Sequence, residues 1–267
     1  MVCALCRSTE LVTIACMRCF LVVSLAIAGC ASAGQGNSII GGLDGDAGVD
    51  NARTDANDFP GLDAAVTDAP ADEVTLSQAS STTITNNNSI ACADNTTGLS
   101  AQNSYYRVFT LSDFGVTTTL HLTHVDFAIQ HADGGPDSAQ QPAQVILATY
   151  GAAPAATLDE NQIQPLGSPV DIMIADGNGT RMTVPVAVDV PAGSRLLVEL
   201  AVPDGASAGS TFFIGSNAQG ERGPSYMSSA STDCGFVNPT TIASIEASAT
   251  PPLTGMVDVI LSVTGTR

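Results

Sequence analysis

Residues 79–267 read as an all-β domain, a Greek-key or jelly-roll β-sandwich, and three features of the sequence predict it. Apolar residues alternate with polar ones in segment after segment, which is the period of a half-buried strand. Clusters of Gly, Pro, Asp and Asn punctuate those segments at short intervals. No segment sustains an apolar repeat of 3.6 residues over three helical turns. A length of about 190 residues is also enough for a substantial core.

The elements follow in chain order. Strands are expected at 105–111, 118–130, 144–150, 170–174 and 211–215. Within 181–190 the even positions Met182, Val184, Val186, Val188 and Val190 are apolar, and Arg181, Thr183, Ala187 and Asp189 alternate with them. Pro185 lacks the N–H that an interior strand donates, so this strand belongs at an edge or a bulge. The same period recurs at 195–202, with Leu196, Val198, Leu200 and Val202 inward, and at 256–263, with Val257, Val259, Leu261 and Val263 inward. Turns are expected at Asp133-Gly134-Gly135-Pro136, Asp176-Gly177-Asn178-Gly179, Pro191-Ala192-Gly193 and Pro203-Asp204-Gly205, where Gly and Asn tolerate the required backbone angles and Pro presets one. Many short strands without helices between them make a sandwich.

Two segments of different character precede the domain. Residues 1–29 read as a lipoprotein signal peptide. The apolar run 20–28, with Arg18 just ahead of it, is shorter than the roughly 20 residues of a bilayer span but has the length of a signal-peptide core. Ile27-Ala28-Gly29-Cys30 resembles the bacterial lipobox, so Cys30 is the expected lipidated residue, and Met17 is an alternative start for a compact leader. Cys3, Cys6, Cys16 and Cys19 have the spacing of zinc ligands. The second pair runs into the apolar run, however, where no polar hairpin can aim its thiolates, and no metal or other cofactor is expected.

Residues 30–78 read as a linker. Asp44, Asp46, Asp50, Asp55, Asp58, Asp63, Asp68, Asp72 and Glu73 stand against Arg53 in a Gly- and Ala-rich background, which cannot bury enough apolar surface to offset chain entropy. The expectation is a disordered, self-repelling tether with a reach of about 35–40 Å. A calcium loop starting at Asp44 fails, because Gly48, Val49 and Asp55 stand where an oxygen ligand, a Gly and a bidentate Glu are required.

Charge and composition limit the partners. The net charge is −18 and all eight basic residues are Arg. From residue 79 onward sixteen acidic residues face five Arg, leaving −11. Nucleic acid and anionic lipid surfaces repel such a domain, so no nucleic-acid partner is expected. Trp is absent and only Tyr105, Tyr106, Tyr150 and Tyr226 are available, which weakens a carbohydrate reading built on ring stacking. Cleavage before Cys30 leaves Cys92 and Cys234 as the remaining thiols besides the lipidated one. In an oxidising compartment two thiols pair; the alternative is two separate buried cysteines acting as small apolar residues.

His121, His124 and His131, with Asp126 between them, form the densest chemical cluster. On a regular strand His121 and His131 share the face of Val125 while His124 and Asp126 point the other way, so convergence on a metal needs a bulge near Thr123. The nucleophile-elbow, HExxH, P-loop and dinucleotide-binding motifs are missing from the sequence. No catalytic residue is singled out.

One set of separated motifs carries a resemblance. Cys92, then Asn103-Ser104-Tyr105-Tyr106-Arg107-Val108-Phe109, the stretch from Val190 to Leu200, Ile214-Gly215-Ser216-Asn217, Gln219-Gly220, Pro224-Ser225-Tyr226, Asp233-Cys234-Gly235 and Asn238-Pro239-Thr240 resemble exported bacterial β-sandwich modules of undefined function. Ala128 and Gln130 depart from it, standing where such modules often have Gly and Glu. The resemblance implies the sandwich, a Cys92–Cys234 bridge and attachment to secreted or surface proteins. It brings no reaction.

Ser216, Asn217, Gln219, Ser225 and Tyr226 are the candidate ligand rim, with a purely structural turn as the competing reading. The expected function is an exported, non-catalytic binding or interaction module, tethered to the bilayer through Cys30 at the outer membrane or cell surface. Its partner is an unidentified surface protein or glycan. The alternative is an extracellular hydrolase or hydrolase accessory domain using dispersed carboxylates or the His121–His131 strand.

Overall fold

The computed structural model describes residues 2–4, 72–94, 96–231, 234–249 and 256–267. Cys30, the expected leader apart from Val2–Ala4, and the linker as far as residue 71 lie outside them.

The strands in chain order are β1 (Val2–Ala4), β2 (Glu73–Ser77), β3 (Ala91–Ala93), β4 (Asn103–Thr110), β5 (Leu120–Asp133), β6 (Gln140–Tyr150), β7 (Ile163–Pro165) and β8 (Val170–Ala175). They continue as β9 (Gly177–Val190), β10 (Arg195–Val202), β11 (Thr211–Ile214), β12 (Ser216–Asn217), β13 (Ser225–Ser228), β14 (Thr240–Thr241), β15 (Asp258–Val259) and β16 (Leu261–Thr266). A short helix, α1 (Ile242–Ser248), starts at Thr241, whose side chain caps the Ser244 N–H. At seven residues it is shorter than three turns, so it left no helical period to read.

Two antiparallel sheets form the all-β sandwich. One runs β14-β13-β4-β10-β6, with β7 and β8 both pairing the far side of β6. The other runs β11-β5-β16-β2, with β9 on the opposite side of β5. The pair β12–β15 and the pair β1–β3 are separate two-stranded ladders. Val2–Ala4 is part of the segment that the leader reading removes on export; its backbone pairs with Ala91–Ala93.

The core lies between the sheets. Tyr105, Phe109, Val145, Leu196, Val198, Leu200 and Val202 from one sheet meet Leu122, Val125, Phe127, Ile129, Val184 and Val263 from the other, all buried. The inward positions expected at 195–202 are therefore the buried ones. A second cluster of Tyr106, Val108, Ala148, Tyr150, Leu158, Leu197 and Tyr226 sits apart from it. Odd-numbered Leu197 reaches this cluster from the opposite face of β10, which it shares with Arg195, Glu199 and Ala201.

Several boundaries differ from the sequence reading. Glu73–Ser77, placed in the linker, is the edge strand β2 and pairs with β16, and its Leu76 is fully buried. The sandwich thus begins before residue 79: two acidic residues at the strand's start masked an apolar alternation of Val74 and Leu76. The expected turn at 176–179 is confined to Asp176, and Asn178 and Gly179 belong to β9. The segment 256–263 is broken at Ile260 into β15 and β16. Ile260 exchanges backbone hydrogen bonds with Ala128 and Gly215 there. β9 does lie at an edge, with Pro185 opposite His124 beside a register shift.

Candidate functional site

The sequence-derived rim is largely interior. Ser216, Asn217, Ser225 and Tyr226 are buried, and only Gln219 is exposed. Asn217 Nδ2 donates to the carbonyls of Ser81 and Asp258 at 3.1 and 3.4 Å. Ser216 exchanges hydrogen bonds with Asn88. Ser225 Oγ donates to Glu221 at 2.5 Å and accepts the Val259 N–H at 3.2 Å. Asn217, Ser216 and Ser225 spend their hydrogen-bonding capacity on backbone and neighbouring side chains in irregular crossings, which is what short polar residues do where ladders stop. The buried Tyr226 hydroxyl has no hydrogen-bond partner among the described residues. They do not form an open rim.

At the centre of that region lies a buried charge. Arg107 is fully buried, 2.7 Å from Glu221, and donates to the carbonyls of Gly223 and Val259 at 2.6 and 2.5 Å. Desolvation pulls the guanidinium below its ordinary pKa and Glu221 opposes the shift. Desolvation, with the Glu221 charge second, raises the Asp258 carboxyl, which also accepts the Gly220 N–H at 2.8 Å.

The histidines occupy three separate settings. His121 Nδ1 lies 2.6 Å from Asp189, His124 Nε2 3.3 Å from Asp126, and His131 Nδ1 2.6 Å from Asn178. A register shift against β16 leaves Thr123 as an extra residue, so the expected alternation breaks: Leu122 and Val125 both point inward, and His121 is exposed. The bulge does occur near Thr123, yet each imidazole keeps its own partner. Among the described residues no group of three or more His, Cys, Asp or Glu is placed to hold a metal. Cys92 and Cys234 are disulfide-bonded, with Cα atoms 6.1 Å apart.

The sequence did not point to a concavity of about 580 Å³ that lies where β6, β8 and β10 run side by side, closed by the Pro203–Asp204 loop. Its floor follows from register. Asp171, Gln144 and Ala201 align across β8, β6 and β10, and Met173 aligns with Pro142 one step away. Ala201 is small where its neighbours are long, which leaves the depression. Gln144 Nε2 donates to Asp171 Oδ1 at 2.8 Å and fixes both side chains. Met173 is 47% exposed, one of the few large apolar side chains left to solvent among the described residues. Among the described residues, no Lys or Arg lines the groove. The sequence did carry one sign of it. In the strand expected at 170–174, Met173 falls on the polar, outward parity with Asp171.

No family model matches the chain, and no curated protein is similar enough to count as a relative. Among solved structures, it is similar to that of the cysteine protease and lectin-like domains of Cwp84, a surface layer associated protein of Clostridium difficile, at 12% identity and a TM-score of 0.40. The match covers 63% of this chain, which spans about a third of that structure's length (33%). A likeness of this size transfers neither site nor ligand. No described helix is long and apolar enough to cross a membrane.

Proposed function

We propose that the chain is an exported binding module of the bacterial surface, tethered by lipid on Cys30 and a long acidic linker, which docks a basic and apolar segment of another surface protein. The groove of Pro142, Gln144, Asp171, Met173, Pro203 and Asp204 carries this reading. Its apolar floor contributes burial, at roughly 25 cal/mol per Å² of surface removed from water. Its two carboxylates face no cation of their own in the groove, and the acidic surroundings add long-range attraction for a basic partner. Amides beside a fixed carboxylate can satisfy the backbone of an extended peptide. The sandwich supplies a rigid frame and the linker supplies reach.

Photo-crosslinking tests the docking. A benzophenone amino acid at position 173 of the full chain, expressed at the cell surface, should form an adduct with one defined protein. Asp171→Lys should abolish that adduct, and Asp189→Lys on the other sheet should leave it unchanged. An adduct insensitive to Asp171→Lys, or none, sinks the docking reading. The tether is tested separately by intact mass spectrometry of the membrane-extracted protein, where a diacylglyceryl or triacyl mass on an N-terminal Cys30 is expected and an unmodified chain retaining residues 1–29 counts against it.

A further inference from the structure

A second, smaller pocket lies at the other sheet, on a bulge in β5. The register steps from Phe213 opposite His131 to Ile214 opposite Ile129, so Gln130 is an extra residue on β5. Bulges of this kind re-aim side chains and cluster at binding sites. Here the bulge leaves Ile129 and Ala132 buried in the core and turns His131 between them to the outside. Antiparallel register then sets Asn178 of β9, His131 of β5 and Phe213 of β11 in one row across three strands. Asn87, from the turn before β3, completes a cavity of about 260 Å³ with Gln130. Asn87 holds the sole positive φ (56°) of any non-glycine among the described residues. That strain of about 1 kcal/mol or more is held in place by its neighbour Asn88, whose buried amide donates to Ser216, Asn217 and Met256.

The polar atoms in the pocket are specific. Gln130 Oε1 is buried and has no hydrogen-bond partner. A buried acceptor in that state costs about 1–3 kcal/mol, which a hydroxyl-bearing ligand would recover. His131 Nδ1 lies 2.6 Å from Asn178 Oδ1; in the neutral tautomer with Nδ1–H donating to that oxygen, Nε2 is a second acceptor. Asn178 then has its NH₂ to donate. The Phe213 ring, half-buried and 6.3 Å from the imidazole centroid, supplies an apolar face. None of the five lining residues is a carboxylate, Lys or Arg. A charged ligand would be desolvated there without a counter-charge, whereas a ligand dense in hydroxyls with a C–H face matches two acceptors, one amide donor and one ring.

We propose that Asn87, Gln130, His131, Asn178 and Phe213 form a binding site for one ring of a neutral sugar. The volume falls below the roughly 300–1,000 Å³ of sites for drug-sized ligands, so it takes a single ring, the end or one unit of a longer glycan. The site lies on the five-stranded sheet, away from the acidic groove of the seven-stranded one, and does not depend on that groove having a partner. Phe213 answers the scarcity of tyrosine and absence of tryptophan, which had weakened a sugar reading at the level of composition.

The test presents the full chain to an array of neutral glucose, galactose, mannose and N-acetylglucosamine oligosaccharides alongside sialylated and sulfated ones. Retention on at least one neutral glycan is expected. Gln130→Ala and Asn178→Ala should each weaken it by about tenfold, the free energy of one lost buried hydrogen bond. Asn178 is exposed, so its variant should keep the wild-type melting temperature and separate lost binding from lost folding. Asp171→Lys should bind the same glycan unchanged. Retention of no neutral glycan, retention of charged glycans alone, or retention equal in wild type and Asn178→Ala overturns the proposal.

Discussion

Arg107 and Glu221 form a 2.7 Å ion pair in which the arginine is fully buried. The pair sits where β4, β13 and the β12–β15 ladder meet: Ser225 is opposite Arg107 in register, and Arg107 also bonds the Val259 carbonyl. A buried charge is costly unless paired and hydrogen-bonded, and here two carbonyls and a carboxylate offset part of that cost while Arg107 Nε has no hydrogen-bond partner among the described residues. Within 214–226, Glu221 and Gly223 bond this cation and Ser225 bonds Glu221, so these residues tie the fold together.

Removing one partner therefore strands the other. Glu221→Ala should destabilise the protein by about 3–5 kcal/mol, because it leaves a buried guanidinium without its counter-charge. Arg107→Met with Glu221→Leu should recover part of that loss. Urea unfolding followed by circular dichroism measures both, and a single variant within about 1 kcal/mol of wild type contradicts a structural role for the pair.

The Cys92–Cys234 bond encloses a sequence separation of 142 residues. By the chain-entropy model a loop of that length contributes about 5 kcal/mol, a large share of the roughly 5–15 kcal/mol of a typical domain. Cys92→Ala with Cys234→Ala should lower the melting temperature by well over ten degrees. Thiol titration of the native protein under denaturing, non-reducing conditions should find neither cysteine reactive.

The disulfide and most strands were legible because each leaves a local mark: a thiol count, or alternating apolar residues such as Leu196, Val198 and Leu200. The two candidate sites were not, for a physical reason. Asp171, Gln144 and Ala201 are brought together only by strand register, and register is a relation between distant segments. The bulge at Gln130 is likewise invisible along β5 alone, since it exists only against β11. Polar residues near glycines at 215–226 looked like a rim because turn chemistry and binding chemistry use the same side chains.

Gly215 is required for packing. A Cβ there would lie 2.5 Å from the Ala128 side chain and 2.7 Å from its backbone carbon, in the three-way backbone crossing of Gly215, Ala128 and Ile260. Gly215→Ala should cost about 1–3 kcal/mol by overpacking. Replacing Ala128 by Gly in the same chain should restore part of it, and denaturant midpoints read out both.

Glu199 should make stability depend on pH. It stands half-buried on β10, opposite Tyr106 in register, and desolvation raises its pKa above the ordinary glutamate value of 4.5, with hydrogen bonds from Ser104 and Tyr106 opposing. In the window between 4.5 and the raised value the folded state holds a proton that the unfolded chain has released. Stability must then fall as pH rises through that window, since the unfolded state binds fewer protons there. Above the window Glu199 is ionised in both states and its full desolvation penalty weighs on the fold. Glu199→Gln removes the charge and keeps the shape. The variant should melt higher than wild type at neutral pH, the difference should shrink as the pH drops towards 4.5, and parallel melting curves for the two proteins across that range would show that the carboxyl is not desolvated.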